Sequence, residues 1–332
     1  MKIGYICNQA NCVSGASNGI RMQALIWYEE LKKRGHDIVL IDAWGIYDWK
    51  SFDIIHAFSF GESTAFLDSL KKKGVKKVVV SPIIDSDKSR FFYKIATMMG
   101  SNRLRLSSPG FNLRNHAKYI DMFLARSAYE KGYIEYCFDV PSDKTAIVPL
   151  SYRITGNTHI IENKEPFCLH VSSYTQGRKN VKRLIQAAIK YGFKLVIAGN
   201  HGNKSSYNEY QQLIKGHDNI TILGFVSDVE LNSLYSKAKV FALPSTYEGV
   251  GLVALEAAVQ GCDIVITNVG GPKEYYSCYA YTVNPYSIDD IGESIIEAIK
   301  GTKQPMLKKH IVENYNIENC VDKLEQLYYE LL

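Results

Sequence analysis

Two glutamates, Glu248 and Glu256, stand eight positions apart in the run Tyr247-Glu248-Gly249-Val250-Gly251-Leu252-Val253-Ala254-Leu255-Glu256. From about Gly251 to Gln260 the run is nearly all apolar, which reads as a helix buried on all sides. A carboxylate inside such a helix costs several kcal/mol unless a partner meets it. Glu256 therefore needs hydroxyls or N–H groups close by. Glycines at 249 and 251 let the backbone approach a ligand closely. The helix start adds free N–H groups and the positive end of a dipole, a seat for phosphate. The chemistry suggested is recognition of a small molecule that carries both hydroxyls and negative charge. A plain helix-start carboxylate plus a buried salt bridge is the other reading of the same residues.

Further residues could supply charge or hydrogen bonds. Arg178 and Lys179 lie in SSYTQGRKNVKRLIQAA (172–188), either as cations for an anionic ligand or as the solvated start of a basic helix. Gly15 and Gly19 follow the first apolar run, in NQANCVSGASNGIRMQA, without the Gly-x-Gly-x-x-Gly spacing of a dinucleotide site. They serve equally as a flexible turn. Asp85, closing KVVVSPIID, either orients a substrate hydroxyl or caps a helix, and Asp85-Ser86-Asp87 also spells Asp-x-Asp, a metal-binding pattern. His56, in DIIHAF, is a cleft residue or a satisfied core histidine. Residues 88–118 hold seven Lys/Arg and no acid, together with Phe91, Phe92, Tyr93, Ile95, Met98, Met99 and Phe111. That mixture fits a helix touching anionic lipid, or a surface segment that packs its aromatics inward.

The elements that must position these residues alternate along the chain. Short apolar, β-rich runs fall at 2–7, 37–41, 53–58, 77–82, 122–125 and 145–150, then at 167–171, 194–199, 220–224, 240–244 and 263–267, with helical patterns between them. One such helix runs from Gly19 to about Arg34 and stops at Gly35. Strands that are continuously apolar rather than alternating belong in parallel sheets covered on both faces. The chain has 332 residues, enough for about two domains. The polar, patternless stretch SYRITGNTHIIENKEP (151–166) marks the join. Hydrophobic residues at 46% and charged residues at 22% exclude a disordered or collagen-like chain. No apolar run reaches the roughly 18–20 residues of a membrane-spanning helix. Seven scattered cysteines without metal spacing fit reduced thiols, hence a cytoplasmic setting. Residues 1–150 carry 21 Lys+Arg against 15 Asp+Glu, and residues 151–332 carry 18 against 19, too small an excess to point to nucleic acid.

The segment PSTYEGVGLVALEAAVQG, with Glu248 and Glu256 in the spacing Glu-x7-Glu, resembles the donor-binding signature of glycosyltransferase family 4, the group 1 glycosyltransferases of GT-B fold. The approach LGFVSDVELNSLYSKAKVFALPS (223–245) and the glycine turn NVGGPKEYY (268–276) are similar to that family as well. The resemblance implies two doubly wound Rossmann-like α/β domains facing across a cleft. The acceptor-side domain would comprise 1–150 plus 316–332, the nucleotide-sugar domain 165–315, and the linker 151–164. It implies a retaining, metal-independent glycosyltransferase that moves a sugar from a nucleoside diphosphate to an acceptor hydroxyl, in cell-surface glycan or glycoconjugate synthesis. No cofactor and no metal are implied beyond the nucleotide sugar itself. The acceptor would be a glycan, a lipid-linked molecule or a protein, on the inner face of a membrane.

Site residues carry over by position. Glu248 meets the donor sugar, the backbone of Gly249, Val250, Gly251 and Leu252 holds sugar and diphosphate, Glu256 takes the ribose, and Val226 faces the base. The family's Arg-then-Lys pair falls on Ser173 and Lys179, so Arg178 stands in for the missing cation. Gly15 and Gly19 match the family's glycine loop. The family's usual acceptor-side histidine falls on Ile84, which leaves Asp85, with His56, on the acceptor side. Within this architecture the Asp-x-Asp metal reading is set aside. The departures at Ile84 and Ser173 keep two other readings open: a catalytically silent glycosyltransferase-like partner subunit and a sugar-nucleotide epimerase.

Overall fold

The structure, a computed structural model, describes residues 1–7, 19–58, 64, 66–101, 103–104, 106–153, 163–173, 176–301 and 304–332. The chain divides into two compact units, Met1–Leu150 with Ile317–Leu332, and Ser151–Asn316. Gly15 and most of the polar join lie outside the described residues.

The first unit runs β1 (Lys2–Cys7), α1 (Gly19–Lys33), β2 (Asp37–Leu40), β3 (Ile54–Phe58), α2 (Leu67–Lys72), β4 (Lys77–Ser81), α3 (Arg90–Met98), α4 (Pro109–His116), β5 (Met122–Ala125), α5 (Ala128–Phe138) and β6 (Thr145–Ile147). The second runs β7 (Glu165–Val171), α6 (Val181–Tyr191), β8 (Lys194–Ala198), α7 (Lys204–Leu213), β9 (Ile220–Gly224), α8 (Asp228–Lys237), β10 (Ala238–Leu243), α9 (Leu252–Val259), β11 (Asp263–Thr267), α10 (Pro272–Tyr275), β12 (Tyr281–Val283), α11 (Ile288–Lys300) and α12 (Pro305–Asn314). The final helix, α13 (Ile317–Leu331), belongs to the first unit.

Each unit is built on one six-stranded parallel sheet, ordered β2-β1-β3-β4-β5-β6 in the first and β12-β11-β10-β7-β8-β9 in the second. The doubly wound α/β class read from the apolar runs is thus what the chain adopts. The runs are continuous because the central strands are covered on both faces: every residue of β3 and of β11 is buried. The three-residue edge strand β12 has no counterpart in the sequence reading.

In the first unit, α13 closes the sheet through Cys320, Val321, Leu324 and Tyr328. The Tyr328 hydroxyl pairs with Nδ1 of His56 at 2.6 Å and with the Tyr5 hydroxyl at 3.3 Å, while His56 Nε2 pairs with the Ser81 hydroxyl at 2.8 Å. His56 is fully buried and stacks on Phe58, with ring centroids 4.0 Å apart. This corrects its place among the acceptor-side residues. Both ring nitrogens are occupied inside the core, and burial pushes its pKa well below the usual histidine value, so it is a neutral structural histidine. Outside the core, Arg34 reaches Asp322 (2.6 Å) and Glu325 (2.9 Å), fastening α1 to α13.

Candidate active site

In doubly wound sheets a ligand lies beyond the carboxyl ends of the strands, where strand order reverses. In the second unit that point is between β7 and β10. The loops leaving these two strands carry Arg178 and Lys179 on one side and Glu248 on the other.

Glu248 is buried, and its carboxylate is bracketed by cations. Lys179 Nζ donates to Oε2 at 2.7 Å, Arg178 donates to Oε1 at 3.2 Å, and the Ser245 hydroxyl donates to Oε2 at 3.0 Å. Burial alone would raise its pKa, but the two cations outweigh that and hold it at about 2. The arrangement is one acid facing two cations, a surplus of one positive charge.

Backbone geometry fixes the carboxylate's origin. Gly270 has φ +96° and sits so close to Glu248 that a Cβ there would lie 2.1 Å from the Glu248 carbonyl oxygen. The Glu248 carbonyl accepts the Gly271 amide at 3.2 Å. The glycine turn after β11 therefore exists to let two backbones touch. On the other side, Asn180 adopts φ 60° and donates to the carbonyls of Pro244 (2.8 Å) and Pro285 (2.6 Å), and Thr246 N–H donates to Arg178 O at 2.7 Å. These bonds tie the Arg178–Lys179 turn to the end of β10. Below it, His170 on β7 pairs with the Ala242 carbonyl (2.8 Å) and the Ser172 hydroxyl (2.7 Å). Its burial, with the Lys179 charge adding, lowers its pKa to about 4, so it is neutral.

Glu256 sits inside α9 with about 1% of its surface exposed. Its partner is Arg153, whose Nε donates at 2.6 Å and whose second guanidinium nitrogen donates at 3.3 Å, with the Tyr235 hydroxyl adding a bond at 3.3 Å. The partner required by burial is thus a cation of this chain. Gly251, at φ +79°, caps α9, and its carbonyl accepts the Tyr276 hydroxyl at 2.7 Å. Burial and the nearby charges of Glu248 and Glu256 hold the proton on Tyr276. Val250 is buried, Gly249 half-buried, and Leu252 opens the helix. Val226 is half-buried just before the N-cap of α8, and the Ser173 carbonyl accepts the Gln176 amide at 3.2 Å.

The first unit has a charged cluster of opposite sense. Arg126, after β5, is buried and donates to Asp85 Oδ1 (2.7 Å) and, through Nε, to Glu130 Oε2 (2.8 Å). Glu130 also accepts the backbone amides of Ile84 (2.6 Å) and Arg126 (2.8 Å). Ile83, one residue earlier, is held at φ 55°, which a β-branched side chain rarely adopts. Asp85 keeps about a quarter of its side chain exposed. It caps no helix; the cap of α3 is Ser89. Gly19 is the first residue of α1, with open space where a side chain would stand. Among the described residues no group of His, Cys, Asp or Glu is placed to hold a metal ion.

Residues 157–315 match the family described as "Glycosyl transferases group 1". The matched stretch lies within the second unit and covers just under half of the chain. Among curated relatives, an uncharacterised glycosyltransferase of Methanocaldococcus jannaschii is 32% identical over 183 residues, 51% of this chain and 46% of that protein. O-antigen chain mannosyltransferase B of Escherichia coli is 30% identical over 133 residues, 38% of this chain and 35% of that protein. The matches thus span less than half the length of these relatives. Two solved structures follow the chain almost end to end: sucrose-phosphate synthase of Thermosynechococcus elongatus (TM-score 0.77, 16% identity, 99% of this chain and 98% of that one) and Anabaena HepE in complex with UDP (TM-score 0.74, 15% identity, 99% and 100%). The fold is GT-B.

The second unit brings Glu248, Arg178 and Lys179 together and sets Glu256 in a separate pair on α9. Five positions in the structure had no place in the sequence reading. Arg153 lies in a patternless stretch. Asn180 carried a weak signal, an Asn between a Gly-Arg-Lys turn and a helix. His170 was hidden in an apolar strand. Arg126 and Glu130 stand four apart at a strand-to-helix junction, a spacing that pairs opposite charges.

Proposed function

We propose that the chain is a retaining glycosyltransferase that moves a sugar from a nucleoside diphosphate to an acceptor hydroxyl, without a metal ion, in cell-surface glycan or glycoconjugate synthesis. The observation that carries this reading is the buried Glu248 carboxylate bracketed by Lys179 and Arg178 at the switch point of the second sheet. When a donor enters, its diphosphate draws Lys179 and Arg178 toward the phosphate oxygens, and Glu248 turns to the sugar hydroxyls. As the bond between the sugar carbon and the diphosphate breaks, these cations stabilise the charge on the leaving group. Glu256 exchanges part of its bonding with Arg153 for the ribose hydroxyls. The backbone from Gly249 to Leu252 and the start of α9 hold the diphosphate, and Val226 lines the base. Asp85, fixed by Arg126, orients the acceptor hydroxyl. Anabaena HepE was solved with UDP, and a relative 26% identical over 148 residues is named for transfer from UDP-Gal to a diphosphoundecaprenol acceptor, which supports a nucleotide-sugar donor here. The acceptor would be a glycan or lipid-linked molecule reached at the inner face of a membrane, with residues 88–118 as the contact.

The test is a thermal-shift series with UDP, GDP, ADP and dTDP sugars, followed by product analysis with and without acceptor. A ligand bound by the native state alone raises the melting temperature. One nucleotide class is expected to do so, and Glu256→Ala to remove most of that rise relative to its own ligand-free melting point. No rise with any of the four overturns the reading.

A further inference from the structure

The helix α3 is amphipathic in the reverse sense for a water-soluble surface. Its inward side is Tyr93, half-buried against the first unit's core, and Thr97, whose hydroxyl donates to the Cys137 carbonyl at 3.0 Å. Its outward side carries Phe91 (57% exposed), Phe92 (67%), Ile95 (41%) and Met98 (50%). The spacing 91, 92, 95, 98 places all four on one face. The chain then turns back on itself, with Ser101 and Leu106 exchanging both backbone hydrogen bonds (2.7 and 3.0 Å). Met99 (70%), Leu104 (68%) and Leu106 (61%) stand out from this turn. Seven large apolar side chains in sixteen consecutive positions, 91–106, expose several hundred Å², as much as the largest patch on a typical monomer or more.

What covers it follows from charge. Residues 88–118 contain Lys88, Arg90, Lys94, Arg103, Arg105, Arg114 and Lys118 and no acid. Asp139 neutralises part of this charge, pairing with both Lys94 and Arg114. Arg90 lies over the rings of Tyr129 and Tyr133. Lys88 and Arg103 are exposed and meet no acid among the described residues. A second copy of this chain would bring the same cations face to face. An anionic bilayer meets both demands: acyl chains take the phenylalanines and methionines, and lipid phosphates take the cations.

We propose that the outer face of α3, together with Met99, Leu104 and Leu106, forms a wedge that inserts into the interface of an anionic membrane. This deepens the membrane contact named above, and it rests on the transferase reading only for its purpose.

The test is co-sedimentation of the full chain with phosphatidylcholine vesicles, with and without phosphatidylglycerol. Binding is expected only with phosphatidylglycerol and is expected to weaken as salt rises. Burying a phenylalanine side chain corresponds to roughly tenfold or more in affinity, so Phe91→Ser/Phe92→Ser should bind at least that much more weakly. Both side chains are exposed, so the variant should melt with the native chain. With Phe92→Trp, fluorescence should be quenched by brominated acyl chains. Transfer to a water-soluble acceptor should be unchanged in the serine variant, which separates loss of docking from loss of catalysis. Absence of native binding to anionic vesicles overturns the proposal. So does undiminished binding by the serine variant, or lipid-free self-association of the native chain that this variant abolishes.

Discussion

The two parallel sheets each end in a three-membered charge cluster with a buried central residue, and the clusters have opposite sign. In the second unit one carboxylate, Glu248, faces two cations, Arg178 and Lys179. In the first, one cation, Arg126, faces two carboxylates, Glu130 and Asp85. A cluster with one positive charge to spare is prepared for an anion, whereas one with a negative charge to spare is prepared for hydrogen-bond donors such as hydroxyls. The same scaffold thus carries two clusters whose central residues differ in sign. The clusters also differ in redundancy: Glu248 keeps a partner if either cation is lost, whereas Arg126 is shared by both acids.

That difference sets the order of expected effects. Arg126→Met leaves Glu130 and Asp85 without their common cation, and breaking a buried pair in this way costs about 3–5 kcal/mol. Hydrogen exchange resolved by unit should show the loss in the first unit alone; a loss below about 1 kcal/mol would mean that the cluster is not the buried network it appears in the geometry. Lys179→Ala should lower turnover about a hundredfold, near 3 kcal/mol in the barrier, with a smaller loss of stability because Arg178 still meets Glu248. Turnover equal to that of the native chain would remove Lys179 from the proposed leaving-group stabilisation.

The smallest effect is in pH. His170 in the second unit is held down to about 4, and His56 in the first is also lowered by burial. Both are neutral when folded and gain protons on unfolding, so stability is full above about pH 6.5 and declines as pH falls toward the folded values, by up to about 1.4 kcal/mol per pH unit per group. Glu248, moved from 4.5 to about 2, adds a second decline below pH 4.5 in the second unit. Urea unfolding across this range should show the acid slope, and His170→Gln should flatten it between pH 6.5 and 4. An unchanged slope in that variant would assign the titration elsewhere.

The fold was legible in the chain because buried parallel strands write themselves as unbroken apolar runs. The edge strand β12 escaped because three residues with one buried position leave no such run. At the site, Glu248 and Glu256 were legible because carboxylates beside glycines or inside an apolar helix conflict with their surroundings. Their partners were less so. Arg178 and Lys179 were marked by a basic run at a helix start. Arg153, 103 residues before Glu256, carries no local pattern, and only the folded chain shows which cation answers the buried acid. His56 had two readings, and the structure takes the core one. A histidine within an apolar strand has no partner in the local sequence, and only the fold shows that Tyr328, 272 residues later, takes its nitrogen in the core.

That last bond also orders events in time. Tyr328 fills the first unit's interior, while everything from Ser151 to Asn316 is made before it. During synthesis the rear unit has all its strands and helices in hand while the front unit still lacks its closing helix, so the half translated first is the half that finishes last.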